Sequence, residues 1–181
     1  MCPVYNHLIG ILLRMQFGER RKRGIRIDKL PLRLYNNLIV EKNDNRAEGD
    51  EMKDRICLVT GANSGIGLAT AAGLARQGAR VVLACRNPER GEAARREIAE
   101  TTGNKNVDLL IADLASQRDV RRLAEQFRER YGRLHVLVNN AGGLFPKRQT
   151  SPDGFEMTLA VNYLSPFLLT HLLLEELEKG G

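Results

Sequence analysis

ICLVTGANSGIG, residues 56–67, runs from an apolar segment, Ile56–Val59, through a glycine-rich turn into an alanine-rich stretch that opens a helix. A buried strand that turns directly into a helix leaves the first backbone N–H groups of the helix unpaired, and the helix macrodipole adds partial positive charge there. Such a junction accepts a pyrophosphate. The glycines suit it because none has a Cβ: Gly61 permits the tight turn, Gly65 lets the backbone come close to phosphate, and Gly67 lets the helix lie close to the strand. Their spacing is G-x-x-x-G-x-G, a departure from the common G-x-G-x-x-G. The segment marks a dinucleotide site.

Outward from this turn, apolar runs and amphipathic stretches alternate. Strands are expected near 55–60, 80–85, 107–112 and 134–139, and helices near 65–77, 89–102, 116–131 and 153–178. In the third helix Val120, Leu123, Ala124, Phe127 and Tyr131 share one face, while Arg121, Arg122, Glu125, Arg128 and Glu129 fall mostly on the other. The pattern predicts an α/β fold: a Rossmann-type doubly wound parallel sheet with right-handed crossovers and strand order 3-2-1-4. Met157–Leu174 is apolar enough to resemble a membrane span, but Asn162, Ser165, Pro166, Thr170 and His171 interrupt it. A buried or partner-facing helix is the better reading, with Pro166 kinking or loosening it.

At 181 residues the chain accommodates one ordinary domain. The recognisable domain occupies 52–181. Residues 1–51 form a basic and polar extension whose end, EKNDNRAEGDE at 41–51, has the composition of a linker. Because Met52 stands just before the first strand, the extension is read as a candidate for a misassigned start. The net charge is +6, and Arg20, Arg21, Lys22, Arg23 and Arg26 cluster in the extension. Without interleaved aromatics or a nucleic-acid motif, that cluster reads as solvated surface rather than a nucleic-acid interface. Cys2, Cys57 and Cys85 form no C-x-x-C pair, and the apolar run Leu8–Leu13 is followed rather than preceded by positive charge, with no clear cleavage site. These features predict structural thiols and a cytoplasmic location.

TGANSGIG at 60–67, NNAG at 139–142 and Asn162 stand in the order found in the short-chain dehydrogenase/reductase family, which the chain resembles from Lys53 onward. ACRNPERG at 84–91 and DGFEMTLAVNYLSPFLLT at 153–170 resemble its retinol-dehydrogenase-like branch. The resemblance implies an oxidoreductase that interconverts an alcohol and a carbonyl with a nicotinamide dinucleotide. It implies cofactor contacts from Thr60, Gly61, Asn63, Ser64, Gly65, Ile66 and Gly67, from Arg86, from Asp113 and Leu114, and from Asn139, Asn140, Ala141 and Gly142. It also implies that the final helix contributes to a homo-oligomer interface.

Each position has its own chemistry. NAD-dependent enzymes place a carboxylate at the end of the second strand for the ribose hydroxyls. Here Arg86 stands there, and a guanidinium suits a 2′-phosphate, favouring NADP over NAD; the plain alternative is a solvated strand end. Asp113 suits either adenine recognition or the cap of a nearby helix. The asparagines of NNAG serve ligand or scaffold equally well.

Asn162 matches the asparagine of the family's Asn-Ser-Tyr-Lys tetrad, in which Tyr transfers the proton and Lys lowers its pKa. Tyr and Lys need Y-x-x-x-K spacing to share a helix face, and Tyr5, Tyr35, Tyr131 and Tyr163 are followed at that spacing by Ile9, Ile39, His135 and Phe167. The serine, the Tyr/Lys helix and a fifth strand normally follow this region, so the expectation is an incomplete, inactive chain. The alternative is a non-catalytic dinucleotide-binding or interaction module.

Overall fold

β1 (Ile56–Thr60), α1 (Gly65–Arg76), β2 (Arg80–Cys85), α2 (Pro88–Thr102), β3 (Val107–Ile111), α3 (Gln117–Tyr131) and β4 (Val136–Val138) alternate along the chain in a computed structural model that describes residues 52–181. A single turn α4 (Met157–Leu159), a π-helical turn (Ala160–Leu164), α5 (Ser165–Leu172) and α6 (Leu174–Gly180) follow. All strand pairs are parallel, and the order is β3-β2-β1-β4, as the alternation predicts. The extension and linker read at 1–51, with Cys2, lie outside the described residues.

Because side chains alternate across a strand, the central strands must be apolar at every position to be covered on both faces. Leu58, Val82, Ala84 and Leu110 point to one face and pack with Val120, Leu123, Ala124 and Phe127 of α3 and Leu169 of α5. Cys57, Val59, Val81, Leu83 and Cys85 alternate with them and are buried on the other face, the side of the neighbouring helices α1 and α2. Cys57 and Cys85 are free thiols, pushed up by burial to about 12 and about 11, so they act as small apolar side chains.

The helix starts are set by side-chain acceptors. The Asn87 carboxamide accepts from Arg90 N–H at 2.7 Å to open α2. At the start of α3, Ser116 Oγ accepts from Asp119 N–H at 3.4 Å, and the distant Asp153 carboxylate accepts from Gln117 N–H at 2.7 Å. Glu156 opens α4 by accepting from Thr158 N–H and Leu159 N–H, each at 2.9 Å. Those two bonds hold its carboxyl below the usual range.

The final segment corrects the expectation of one helix over 153–178. Helix begins only at Met157 and is interrupted at Leu173, where the axis turns by 59°. The turn is not at Pro166, which lies inside the continuous helical run Met157–Leu172, directly after the π turn. The loosening expected of Pro166 takes the form of the π turn just before it. The bend keeps the chain on the sheet: Leu173 is fully buried, the Glu176 carbonyl accepts from Leu134 N–H at 2.8 Å, and Arg128 donates to the Leu172 carbonyl at 2.8 Å. Among the described residues no single helix is long and apolar enough to cross a membrane; the bent pair Met157–Leu172 and Leu174–Gly180 passes that test only by length and composition.

Candidate active site

β1, β2, β3 and β4 are parallel, so the segments that follow them, at residues 60–65, 86, 112–116 and 139–143, emerge at the same edge of the sheet. Gly61 and Gly65 take the left-handed conformation, φ +64° and +57°, which only glycine adopts without strain. α1 differs from α2, α3 and α4 at its start: Ser64 makes no side-chain cap bond, and no acidic residue occupies the first turn. The amides of Gly65, Ile66 and Gly67 have no acceptor among the described residues. A Cβ on Gly65 would meet nothing within 4 Å, so the loop is open on that side. Ser64 and Ile66 are exposed, and Asn63 is half-buried.

Gly67 has a different role from the helix-to-strand approach expected of it. A Cβ there would collide with the Asn140 amide nitrogen and the Gly61 carbonyl oxygen. The tight contact is therefore with the loop itself. Thr60 is the hub of that loop: it is 1% exposed, its Oγ1 accepts from Asn140 N–H and Ala141 N–H at 3.0 Å each, and it donates to the Val138 carbonyl at 3.3 Å. The Asn140 amide donates back to the Thr60 carbonyl at 2.9 Å and the Gly61 carbonyl at 3.3 Å. Of the two readings open for Asn140, scaffold is the one its geometry fills.

Asn139 is exposed, and its amide donates to Thr170 Oγ1 at 3.0 Å. Asn162 lies in the middle of the π turn and is joined twice to Gly143: its amide donates to the carbonyl, and its oxygen accepts from the N–H, each at 2.9 Å. π turns widen the helix locally and recur at functional sites. Gly142 lies against the same side chain, since a Cβ there would sit 3.3 Å from Asn162 Oδ1.

Arg86 is exposed at the end of β2, and its guanidinium has no partner among the described residues. Arg90, in the first turn of α2, is likewise exposed with an unpaired side chain. It escaped the sequence reading although Arg-Asn-Pro-Glu-Arg places it within the first turn of a Pro-marked helix, which was the available signal. Asp113 does not cap α3; Ser116 does. One Asp113 oxygen accepts from Ala115 N–H at 3.0 Å, and its second oxygen is left without a partner. Leu114 is half-buried against the core.

Tyr163, Phe167 and Leu174 are exposed and, with Asn139, Asn162, Pro166, Thr170 and His171, line a groove of about 480 Å³. A second cavity of about 460 Å³, lined by Lys53, Arg76 and Asn104 among others, lies at the opposite edge of the sheet from the glycine loop. Among the described residues no group of three or more His, Cys, Asp or Glu side chains is placed to hold a metal ion.

A doubly wound sheet with a glycine loop at its carboxyl edge defines a nucleotide-binding fold of the Rossmann type. The short chain dehydrogenase family model matches residues 55–181. Retinol dehydrogenase 11 of Mus musculus is 47% identical over 131 residues, which cover 72% of this chain and 42% of that protein. Dehydrogenase/reductase SDR family member 13 of Bos taurus is 50% identical over 130 residues, covering 72% of this chain and 34% of that protein. Among solved structures, the RhlG/NADP active-site complex of Pseudomonas aeruginosa superposes with a TM-score of 0.64 at 32% identity, over 73% of this chain and 51% of that one. The L-sorbose reductase of Gluconobacter frateurii, complexed with NADPH and L-sorbose, gives 0.61 at 28% identity, over 72% and 50%.

The chain belongs to the short-chain dehydrogenase/reductase family of oxidoreductases, in its retinol-dehydrogenase-like branch. It spans less than half the length of the curated relatives it matches.

Proposed function

We propose that residues 52–181 hold NADP for a cytoplasmic oxidoreductase that interconverts an alcohol and a carbonyl. The observation that carries this reading is the α1 start, where the amides of Gly65, Ile66 and Gly67 are free and Gly61 and Gly65 take the left-handed conformation, while α2, α3 and α4 have side-chain acceptors in that place. The pyrophosphate occupies that position. Arg86, with Arg90 in the first turn of the helix that follows it, takes the 2′-phosphate, and the free Asp113 oxygen accepts from the adenine amine. Bound NADPH supplies the hydride, and the protein supplies position. Asn139, Ala141 and Gly142 line the nicotinamide side, with Asn162 fixing Gly143.

No tyrosine of this chain has a lysine four residues on, so the proton-transfer pair is not among its own residues. The whole protein's chemistry therefore draws on a Tyr and a Lys supplied elsewhere. A second reading, a non-catalytic binding or interaction module, is favoured by the uncovered groove bearing Tyr163 and Phe167 beside the edge strand β4.

Fluorescence titration with NADPH and NADH tests the cofactor assignment. NADPH is expected to bind more tightly, and Arg86→Asp to weaken NADPH by roughly tenfold or more, the scale of a charge-assisted hydrogen bond, while leaving NADH little changed. Equal affinity for the two cofactors in the native chain would overturn the NADP assignment.

A further inference from the structure

Asp153 lies in the loop between β4 and α4, yet its carboxylate accepts from the backbone N–H of Gln117, 36 residues earlier, at 2.7 Å. Gln117 is the first residue of α3, and the turn before it carries Asp113. A second bond closes that turn, from Asp113 N–H to Asp119 Oδ2 at 3.3 Å. On the other side of Asp153 the loop is pinned in sequence. Ser151 N–H donates to the Phe155 carbonyl at 2.8 Å, Met157 N–H to the Gln149 carbonyl at 2.9 Å, and Glu156 opens the helix that leads to Asn162. Asn162 then holds Gly143, where the same loop leaves β4.

Two ends of the site are thereby connected. The Asp113 turn stands at the far side of β3, and the Gly143–Asn162 pair stands beyond β4, the opposite edge of a four-stranded sheet. The later turns of α3 already pack on α5 through Leu169 and hold it by the Arg128–Leu172 bond; at the start of α3, among the described residues, the Asp153 carboxylate is what ties the 144–156 loop to it. The helix dipole adds to the bond, since an anion at a helix N-terminus is favoured.

We propose that Asp153 is a positioning residue for the cofactor site: its bond to Gln117 N–H fixes the loop that carries the Asn162 side relative to the turn that carries Asp113. The proposal rests on the dinucleotide reading above. A ligand reaching both ends feels the link, and a ligand confined to the adenine end does not.

Adenosine 2′,5′-bisphosphate and NADPH distinguish the two. In Asp153→Ala, NADPH binding is expected to weaken by roughly tenfold, the scale of one charge-assisted hydrogen bond, with the bisphosphate changed less than about twofold. Asp153→Asn keeps an acceptor and should restore most of the loss. Gln117→Pro removes the donor instead. Proline is tolerated at the first helical position, and Ser116 before it already has the extended backbone that proline requires, φ −108° and ψ 118°, so α3 should survive. Gln117→Pro should reproduce the NADPH-specific loss, and combining it with Asp153→Ala should add nothing. Equal weakening of both ligands, additive single losses, or no loss at all would overturn the role of Asp153. Failure of the native chain to bind either ligand would instead overturn the dinucleotide reading itself.

Discussion

Gly65 and Gly67 are two residues apart and should respond to alanine in opposite ways. At Gly65 there is open space and a φ of +57°, so Gly65→Ala costs about 1–2 kcal/mol of backbone strain and places a methyl where phosphate approaches. NADPH affinity should fall more than stability. At Gly67 the methyl meets Asn140 and the Gly61 carbonyl, so Gly67→Ala should lower stability first, by about 1–3 kcal/mol. Chemical denaturation and titration of both variants separate the two effects.

His135 supplies a pH test. Its Nδ1 accepts from Ile56 N–H at 2.9 Å, so that nitrogen carries the lone pair, and burial together with Arg55 and Arg133 lowers its pKa below the usual 6.5. The folded state then resists a proton that the unfolded chain takes up. Stability should be fully present above pH 6.5 and decline as pH falls below it, until the folded pKa is passed. Thermal melts in that window should show a shallower decline for His135→Gln. The glycine spacing was legible because the left-handed backbone at Gly61 and Gly65 and the close contact at Gly67 demand residues without a Cβ. For Asn140 the sequence left ligand and scaffold both open, because the partners that decide it, Thr60 and Gly61, lie about 80 positions away.

At the scale of elements, the helix at the end of the described chain is where pattern and structure part. Leu172, Leu173 and Leu174 follow one another with no turn residue between them, so the pattern extends the helix through Leu173; the buried Leu173 and the Glu176–Leu134 bond turn it. β1, β2, β3 and α3 were legible because continuous apolar runs and one-sided amphipathicity have few other solutions. The break was not, since it depends on what α3 and β4 present to it. Arg128 Nε donates to Glu176 Oε1 at 3.1 Å, and Glu176 is fully buried with its second oxygen unpartnered. Arg128→Ala should cost about 2 kcal/mol, less than a fully buried pair because half of Arg128 lies in water. Combining it with Glu176→Gln, which removes the uncompensated charge, should recover part of the loss in urea denaturation.

For the whole molecule, ligand linkage gives the most direct readout. A cofactor that binds only the folded chain stabilises it by about 2.7 kcal/mol at a free concentration of about 100 times Kd. NADPH should therefore raise the melting temperature by several degrees, and NADH at the same concentration by less. The strand order has a further consequence, in time rather than space. β1, β2 and β3 follow one another with short crossovers, but β4 pairs with β1 from a distance of about 80 residues, through Cys57 and Val136. Long-range pairing of this kind forms late. A chain still emerging from the ribosome acquires its glycine turn and Arg86 first, and Thr60 waits without Asn140 and Ala141 until the fourth strand arrives. Competence to hold a nucleotide then waits on the arrival of the fourth strand, well after the glycine turn itself has left the ribosome.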